Sequence, residues 1–590
     1  MPPKRFFQFS SRNGSHRPRV GFDRILAVQI IILIATGIIT VRLFSLQVLG
    51  YEDYRMSAEQ IHSYSKKILP KRGEVFLKDR TTTFPAIMNR EYTLVYAVPK
   101  YVPDPLKAAE ALAPILEMEK ELLLEKLSKK NDVYEILKKK VPEEKINQIK
   151  SLELIGIHFE TEQLRYYPEP GFGGHVMGFL GYEGSTLKGR YGIEGYFDSL
   201  LRGKNGSVKL EKDPIGALIP VGNQENIDPV HGSKIILTLE RSLQLTVCDE
   251  LKKWVLQHGA DGGSVIIMEP YSGKILAICS TPDFDSNDYA KAEVSSYSNP
   301  ALYDVYEPGS IFKPITMAIG LDLGKITPTT TYEDTGKVVI GSYTIKNSDG
   351  KKHGKQTMTQ VLEESLNTGT IFVARKIERK NFLDYLKNFG FGIKTGIELG
   401  PEAKGDISSL RDKRDIYLAT ASFGQGISVT PLQIVVAFAA LANGGNLVQP
   451  TIIEEIIHSD GRQEKTNPKI VRRVISESAS SLISGMLVNV VRNGHGKKAG
   501  VPLYYIAGKT GTAQVPRKDK KGYESGATIG SFIGYGPVGH PRFVMLVKID
   551  RPRDVQWAES SAAPLFGTLA KFLLQYYEVP PDEKPEEVKK

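Results

Sequence analysis

Cysteine is nearly missing: 590 residues hold two, Cys248 and Cys279. That excludes a scaffold stapled by several disulfides, and any cysteine-rich zinc or iron–sulfur module. Histidine is sparse as well, with ten residues and no His-Glu-x-x-His pairing, so no metal and no cofactor are expected. Neither sign of charge dominates: 77 Lys and Arg against 67 Asp and Glu leave a net +10. No aromatic-rich basic motif accompanies that excess, so nucleic-acid binding is not expected. Repeats with periods of 20–50 residues are absent. What is there is an ordinary globular balance, 41% apolar and 24% charged. The length calls for more than one domain.

Long apolar runs are missing with one exception. Ile25–Val41 carries 17 residues without a charge, and after Arg42 the apolar character continues through Leu49. An arginine near a helix end reaches the membrane surface along its own stem. Six of the basic residues lie within 1–24, against the single acid Asp23, which makes half of the net charge. A basic flank before an apolar stretch of this length predicts a single transmembrane helix over 25–45, with the 1–24 tail in the cytoplasm. The bulk of the chain then lies outside the cytoplasmic membrane. A cleaved signal peptide fits less well, because no small-residue cleavage site follows Val41.

Beyond the membrane, composition divides the chain. Residues 46–230 are turn-punctuated and β-rich, with extended runs at 68–76 and 92–98. Within them, 104–155 changes to Ala, Leu, Glu and Lys at helical spacing, which predicts a small helical insertion with a charged face. A second domain is expected over 231–577. Strands read at 235–239, 263–270, 273–280, 504–507, 530–535 and 542–549. Helical patterns read at 310–323, 357–376, 431–443, 478–492 and 562–577. Strands, then helices, then strands predict an α+β class, an antiparallel sheet covered by helices. The charged tail 578–590 is expected to be disordered.

Three short motifs carry chemistry. Ser310 and Lys313 stand three residues apart where Pro308-Gly309 opens a helical pattern, on one helix face. A serine at a helix start lies in positive potential, which favours a developing oxyanion. A lysine one turn on can take its proton if burial or a second cation lowers its pKa. Alone the spacing is weak, since it recurs at Ser63/Lys66, Ser185/Lys188 and Ser348/Lys351. Ser365-Leu366-Asn367 adds a hydroxyl and a carboxamide at the end of a helical pattern; Ser11 and Asn13 repeat that spacing. Lys509-Thr510-Gly511-Thr512 follows a strand-like run and adds a second cation, hydroxyls and backbone that a substrate can approach over Gly511. A rival copy, Lys394-Thr395-Gly396, lies between glycines in a loop-like segment, so Lys509 is preferred.

In this order the motifs are the signature of penicillin-binding proteins and class A β-lactamases. The sequence resembles the class B penicillin-binding proteins, and does so along nearly its whole length. YEPGSIFKP 306–314, ESLNTG 364–369 and AGKTGTAQ 507–514 surround the motifs. GSVIIMEPYSGKILAICSTPDFDSNDY 263–289, NPAL 299–302 and SFGQGISVTPLQ 422–433 resemble the family's catalytic domain. KRGEVF 71–76 and YGIEGYFDSLLRGKNG 191–206 resemble its N-terminal pedestal, or dimerisation, domain. The resemblance implies roles: Ser310 the acylated nucleophile, Lys313 the general base, Ser365 the proton relay, Asn367 the binder of the substrate amide. Lys509 and Thr510 would orient the substrate carboxylate, with Gly511 giving close approach. The N–H groups of Ser310 and Thr512 would form the oxyanion hole.

The resemblance also implies a reaction, D,D-transpeptidation of peptidoglycan stem peptides ending in D-Ala-D-Ala, with β-lactams acylating the same serine. Expected partners are a membrane polymerase of the FtsW/RodA type and other divisome proteins. The wording of the motifs is nearer to the cell-division (FtsI) type than to the elongation type. A D,D-carboxypeptidase, a β-lactamase or a β-lactam sensor could use the same Ser–Lys pair. The pedestal and membrane helix oppose a secreted β-lactamase, and no counterpart of its deacylating glutamate is evident.

Overall fold

A computed structural model describes residues 24–184, 186–211, 225–517 and 522–583. The expected cytoplasmic tail, apart from Arg24, and the last residues, 584–590, lie outside them. The chain divides into two units, residues 1–69 with 205–229 and residues 70–204 with 230–590.

In the first unit, Arg24–Phe44 is helical and passes through a π-helical turn, Ser45–Leu49. Arg24–Leu49 is long and apolar enough to cross a membrane. Its side chains have no protein core to pack against. The helix Tyr51–His62 follows. Strand Ser63–Ile68 then pairs with Gly206–Glu211, which pairs with Glu225–Ile227.

The second unit holds two main sheets. One is five-stranded and antiparallel, in the order Ile275–Thr281, Gly262–Met268, Phe543–Asp550, Tyr523–Gly536, Ala507–Pro516. Its central strands are apolar on both faces. Val265 and Ile267 join helix Arg241–Gln257 and the last helix, Ala562–Tyr576, in one core. Ile266 and Met268 join helices Lys313–Asp322, Pro431–Ala442 and Glu477–Arg492 in the other. A strand buried on both faces reads as an unbroken apolar run, as GSVIIM does. The α+β expectation is met by this three-layer arrangement. The two cysteines, at the core with the last helix, form one disulfide, Cys248–Cys279.

The other sheet is seven-stranded and draws on residues from both sides of position 231. Strand Lys234–Glu240 runs parallel to Val75–Asp79 and antiparallel to Ile453–Ile457. The start of the expected second domain is thus woven into the N-terminal sheet, through partners that no local pattern reveals. The insertion 104–155 differs from expectation. Pro105–Leu116, Lys120–Leu127 and Glu143–Ser151 are helices, but Glu135–Val141 is a strand paired with Thr82–Ala97. Its lysine run hid an extended segment among helix-forming residues. The first residues of the tail are held rather than loose. Tyr504 donates to the Val579 carbonyl at 2.7 Å and the Tyr505 N–H to Asp582 at 2.7 Å.

Candidate active site

Ser310 lies in a single 3-10 turn, Gly309–Phe312, that feeds directly into helix Lys313–Asp322. The approach is clamped from behind. Tyr306 and Val429 exchange both backbone hydrogen bonds at 3.0 Å, and the Gly309 N–H reaches the Gly424 carbonyl at 3.0 Å. A Cβ on Gly424 would sit 2.3 Å from the Gly309 carbonyl oxygen, so only glycine permits this contact. Glu307 completes the clamp, accepting from the Gly426 N–H and the Tyr523 hydroxyl, each at 2.9 Å.

The sequence pattern over 357–376 proves to be two helices, Met358–Glu363 and Asn367–Ile377. Ser365 occupies the break with φ +55°. Left-handed backbone costs a non-glycine residue about 1–2 kcal/mol, so the surroundings must hold it there. The Leu366 N–H bonded to the Val361 carbonyl at 2.9 Å closes the first helix. Asn367 begins the second, and its side-chain amide donates to the Lys346 carbonyl at 2.9 Å.

Lys509, Thr510, Gly511 and Thr512 lie within strand Ala507–Pro516, which extends the strand-like run of the sequence through the motif. This is an edge strand of the five-stranded sheet, and it runs beside the Ser310 turn. A Cβ on Gly511 would lie 3.1 Å from the Ile311 nitrogen, so Gly511 allows the two backbones to meet. Thr512 accepts from the Ala558 N–H at 3.1 Å.

The three motifs converge on one hydroxyl. Lys509 Nζ donates to Ser365 Oγ at 3.0 Å, and Lys313 Nζ donates to the same Oγ at 3.3 Å and to the Ser365 carbonyl. Both lysines are fully buried, and among the described residues no carboxylate pairs with either. Burial, and after it the charge of Lys509, pushes Lys313 well below the ordinary lysine value. Burial pushes Lys509 down to about 7. A neutral amine beside a serine can serve as a general base, and a hydroxyl shared between two amines can pass a proton. The rival Lys394-Thr395-Gly396 plays no part here. Its Thr395 and Gly396 N–H groups bind the Glu402 carboxylate at 2.7 and 3.3 Å, and Lys394 is exposed.

Sequence reasoning missed a buried carboxylate beside the start of the Asn367 helix. Asp334 is fully buried there and accepts a hydrogen bond from Thr368, the residue after Asn367, at 2.7 Å. Nothing in the linear sequence singles out that aspartate.

Comparison with known proteins decides the family. Residues 263–571 match the penicillin-binding protein transpeptidase domain, and residues 67–237 match the penicillin-binding protein dimerisation domain. The chain belongs to the penicillin-binding proteins. It is 34% identical to stage V sporulation protein D of Bacillus subtilis over 93% of this chain and 85% of that protein. A peptidoglycan D,D-transpeptidase FtsI homolog of Mesostigma viride is 28% identical over 95% of this chain and 97% of its own. Among solved structures, penicillin-binding protein 3 of Mycobacterium tuberculosis complexed with aztreonam superposes with a TM-score of 0.68 at 25% identity. That match covers 88% of this chain and 99% of the other. Like its relatives, this penicillin-binding protein is a class B, serine-type transpeptidase built on a dimerisation-type pedestal.

Proposed function

We propose that this penicillin-binding protein cross-links peptidoglycan stem peptides through an acyl-enzyme on Ser310. The observation that carries the reading is the pair of buried lysines meeting at Ser365 Oγ with no carboxylate between them. Lys313 takes the Ser310 proton as Oγ attacks the penultimate D-alanine carbonyl. The backbone N–H groups of Ser310 and Thr512 hold the oxyanion. The C–N bond then breaks, and terminal D-alanine leaves with a proton passed through Ser365. An acceptor amine next attacks the ester, returns a proton to the lysine pair and frees Ser310. Asn367 binds the donor amide, while Lys509 and Thr510 hold the terminal carboxylate. A β-lactam enters the first half of this cycle and stays as a stable ester.

The helix Arg24–Leu49 is the membrane anchor of this reading, and the six basic residues before Ile25 support a cytoplasmic N-terminus. The catalytic domain then works outside the cytoplasmic membrane. Glycan polymerisation falls to a membrane partner of the FtsW/RodA type, with other divisome proteins around it. We assign the role to septal synthesis. The 34% identity to a sporulation protein favours a second reading, in which the septum concerned is built during spore formation. Filamentation of a depleted strain supports the first reading, and normal division with a sporulation defect supports the second.

Intact mass spectrometry of the full chain in detergent, incubated with benzylpenicillin, tests the chemistry. A stable adduct that maps to Ser310 and is absent from Ser310→Ala is expected. Drug hydrolysis without accumulated adduct would instead identify a hydrolase.

A further inference from the structure

We infer that Asp334 is a positioning residue for transpeptidation, setting the orientation of the Asn367 amide through Asn347 and Thr368. The inference rests on the assignment of Asn367 as the binder of the substrate amide.

Asp334 ends the short strand Thr331–Asp334, which pairs with Gly354–Thr357 at the base of an excursion between the Lys313 helix and the Asn367 helix. Within the excursion, strands Lys337–Ile340 and Tyr343–Lys346 form a hairpin. Val338, Ile340 and Ile345 pack it against Ile371, Ala419 and Phe423. Asp334 itself is fully buried and touches no cation among the described residues. A buried carboxylate needs its lone pairs filled, and four donors fill them. Thr368 Oγ1 at 2.7 Å and the Gly336 N–H at 3.0 Å bind one oxygen. The Asn347 amide at 3.0 Å and the His353 N–H at 2.9 Å bind the other.

Two of those donors lead into the active site. Asn347 donates to Asp334 with its Nδ2, so its Oδ1 faces Thr368 and accepts the Thr368 N–H at 3.3 Å. Thr368 lies in the first turn of the helix that Asn367 begins. Asn347 also fixes its neighbour Lys346, whose carbonyl accepts the Asn367 amide at 2.9 Å. A carbonyl can face only the NH2 end of a carboxamide. The Asn367 Oδ1 is thereby turned the other way, free among the described residues to accept an N–H from a bound peptide. Take away the charge of Asp334, and the Lys346 carbonyl that selects which end of Asn367 meets the substrate loses the support of Asn347 beside it.

A purely structural aspartate would lower stability without acting through Asn367, and a double-mutant cycle separates the two cases. The rate of acylation by benzylpenicillin is measured on the full chain in detergent, with melting temperatures alongside. Asp334→Asn presents an NH2 to a ring of donors, and at least a tenfold loss is expected. Asn367→Ala is expected to lose as much or more. The double variant should then fall within about twofold of Asn367→Ala alone, as groups acting as one unit do. Thr368→Val removes one donor with little change of volume; it should show a smaller loss with the same non-additivity, and it serves if Asp334→Asn does not fold. Losses that multiply overturn the inference and leave the site assignment standing. Full-rate acylation by Asn367→Ala overturns both.

Discussion

Two sorts of buried charge coexist in the larger unit. In the pedestal, Glu194 is fully buried between Arg165 and Arg72, hydrogen-bonded to both guanidinium groups, and Arg72 also reaches Asp198 at 2.9 Å. In the catalytic domain, Lys313 and Lys509 are just as buried, and their nearest polar partners are a serine and a threonine. Lys548, buried in the same sheet, follows the pedestal rule and pairs with Asp550. Removing ions from water is expensive, and a fold normally answers by pairing them. Where it does not, burial loosens the amine's hold on its proton, which suits acid–base chemistry. The difference separates charges that hold the molecule together from charges that make it react.

That contrast can be broken by substitution. Lys313→Met should lower acylation by a penicillin about a thousandfold or more, as loss of an activating base does; a loss under tenfold would move the base elsewhere. Glu194→Gln leaves two buried arginines facing a neutral amide and should cost about 3–5 kcal/mol in urea unfolding. The folded fraction should still acylate at the parent rate. A third test uses pH. Lys509 binds its proton below about 7 when folded but below about 10.5 when unfolded. Below pH 7 both states are protonated and the penalty for burying the charge is complete. Between pH 7 and 10.5 the unfolded chain holds more protons, so stability should rise with pH through that window, on the order of 5 kcal/mol in all. Lys509→Met should remove its share of the rise and leave the share that the buried Lys313 contributes. The smallest effect has the opposite sign to that at Glu194: Lys313→Met should stabilise the protein by about 1 kcal/mol.

Much of this site was legible in the sequence because its chemistry is local. Ser310 and Lys313 are one turn apart on a helix start, and Lys509 follows the strand-like run 504–507. The double-sided strands Gly262–Met268 and Ile275–Thr281 announced themselves as apolar runs. What stayed hidden depends on pairing across distance. Strand Lys234–Glu240 finds Val75–Asp79 and Ile453–Ile457 through backbone hydrogen bonds that carry no residue signature. The break at Ser365 was read as continuous helix because a single left-handed serine leaves no trace in periodicity. Asp334 is one acid among many until its four donors, drawn from 336, 347, 353 and 368, are seen around it.

The bond between Cys248 and Cys279 has a further use. It ties helix Arg241–Gln257 to strand Ile275–Thr281 on the sheet face turned away from Lys313. Such bonds persist in oxidising surroundings and are rare in the reducing cytosol. The sulfur pair therefore keeps a history of the compartment in which each molecule matured. Copies matured in an oxidising compartment should resist a thiol-alkylating reagent after unfolding, and copies kept in a reducing one should take up two labels. The protein thus carries its own gauge of translocation, read without disturbing a catalytic residue.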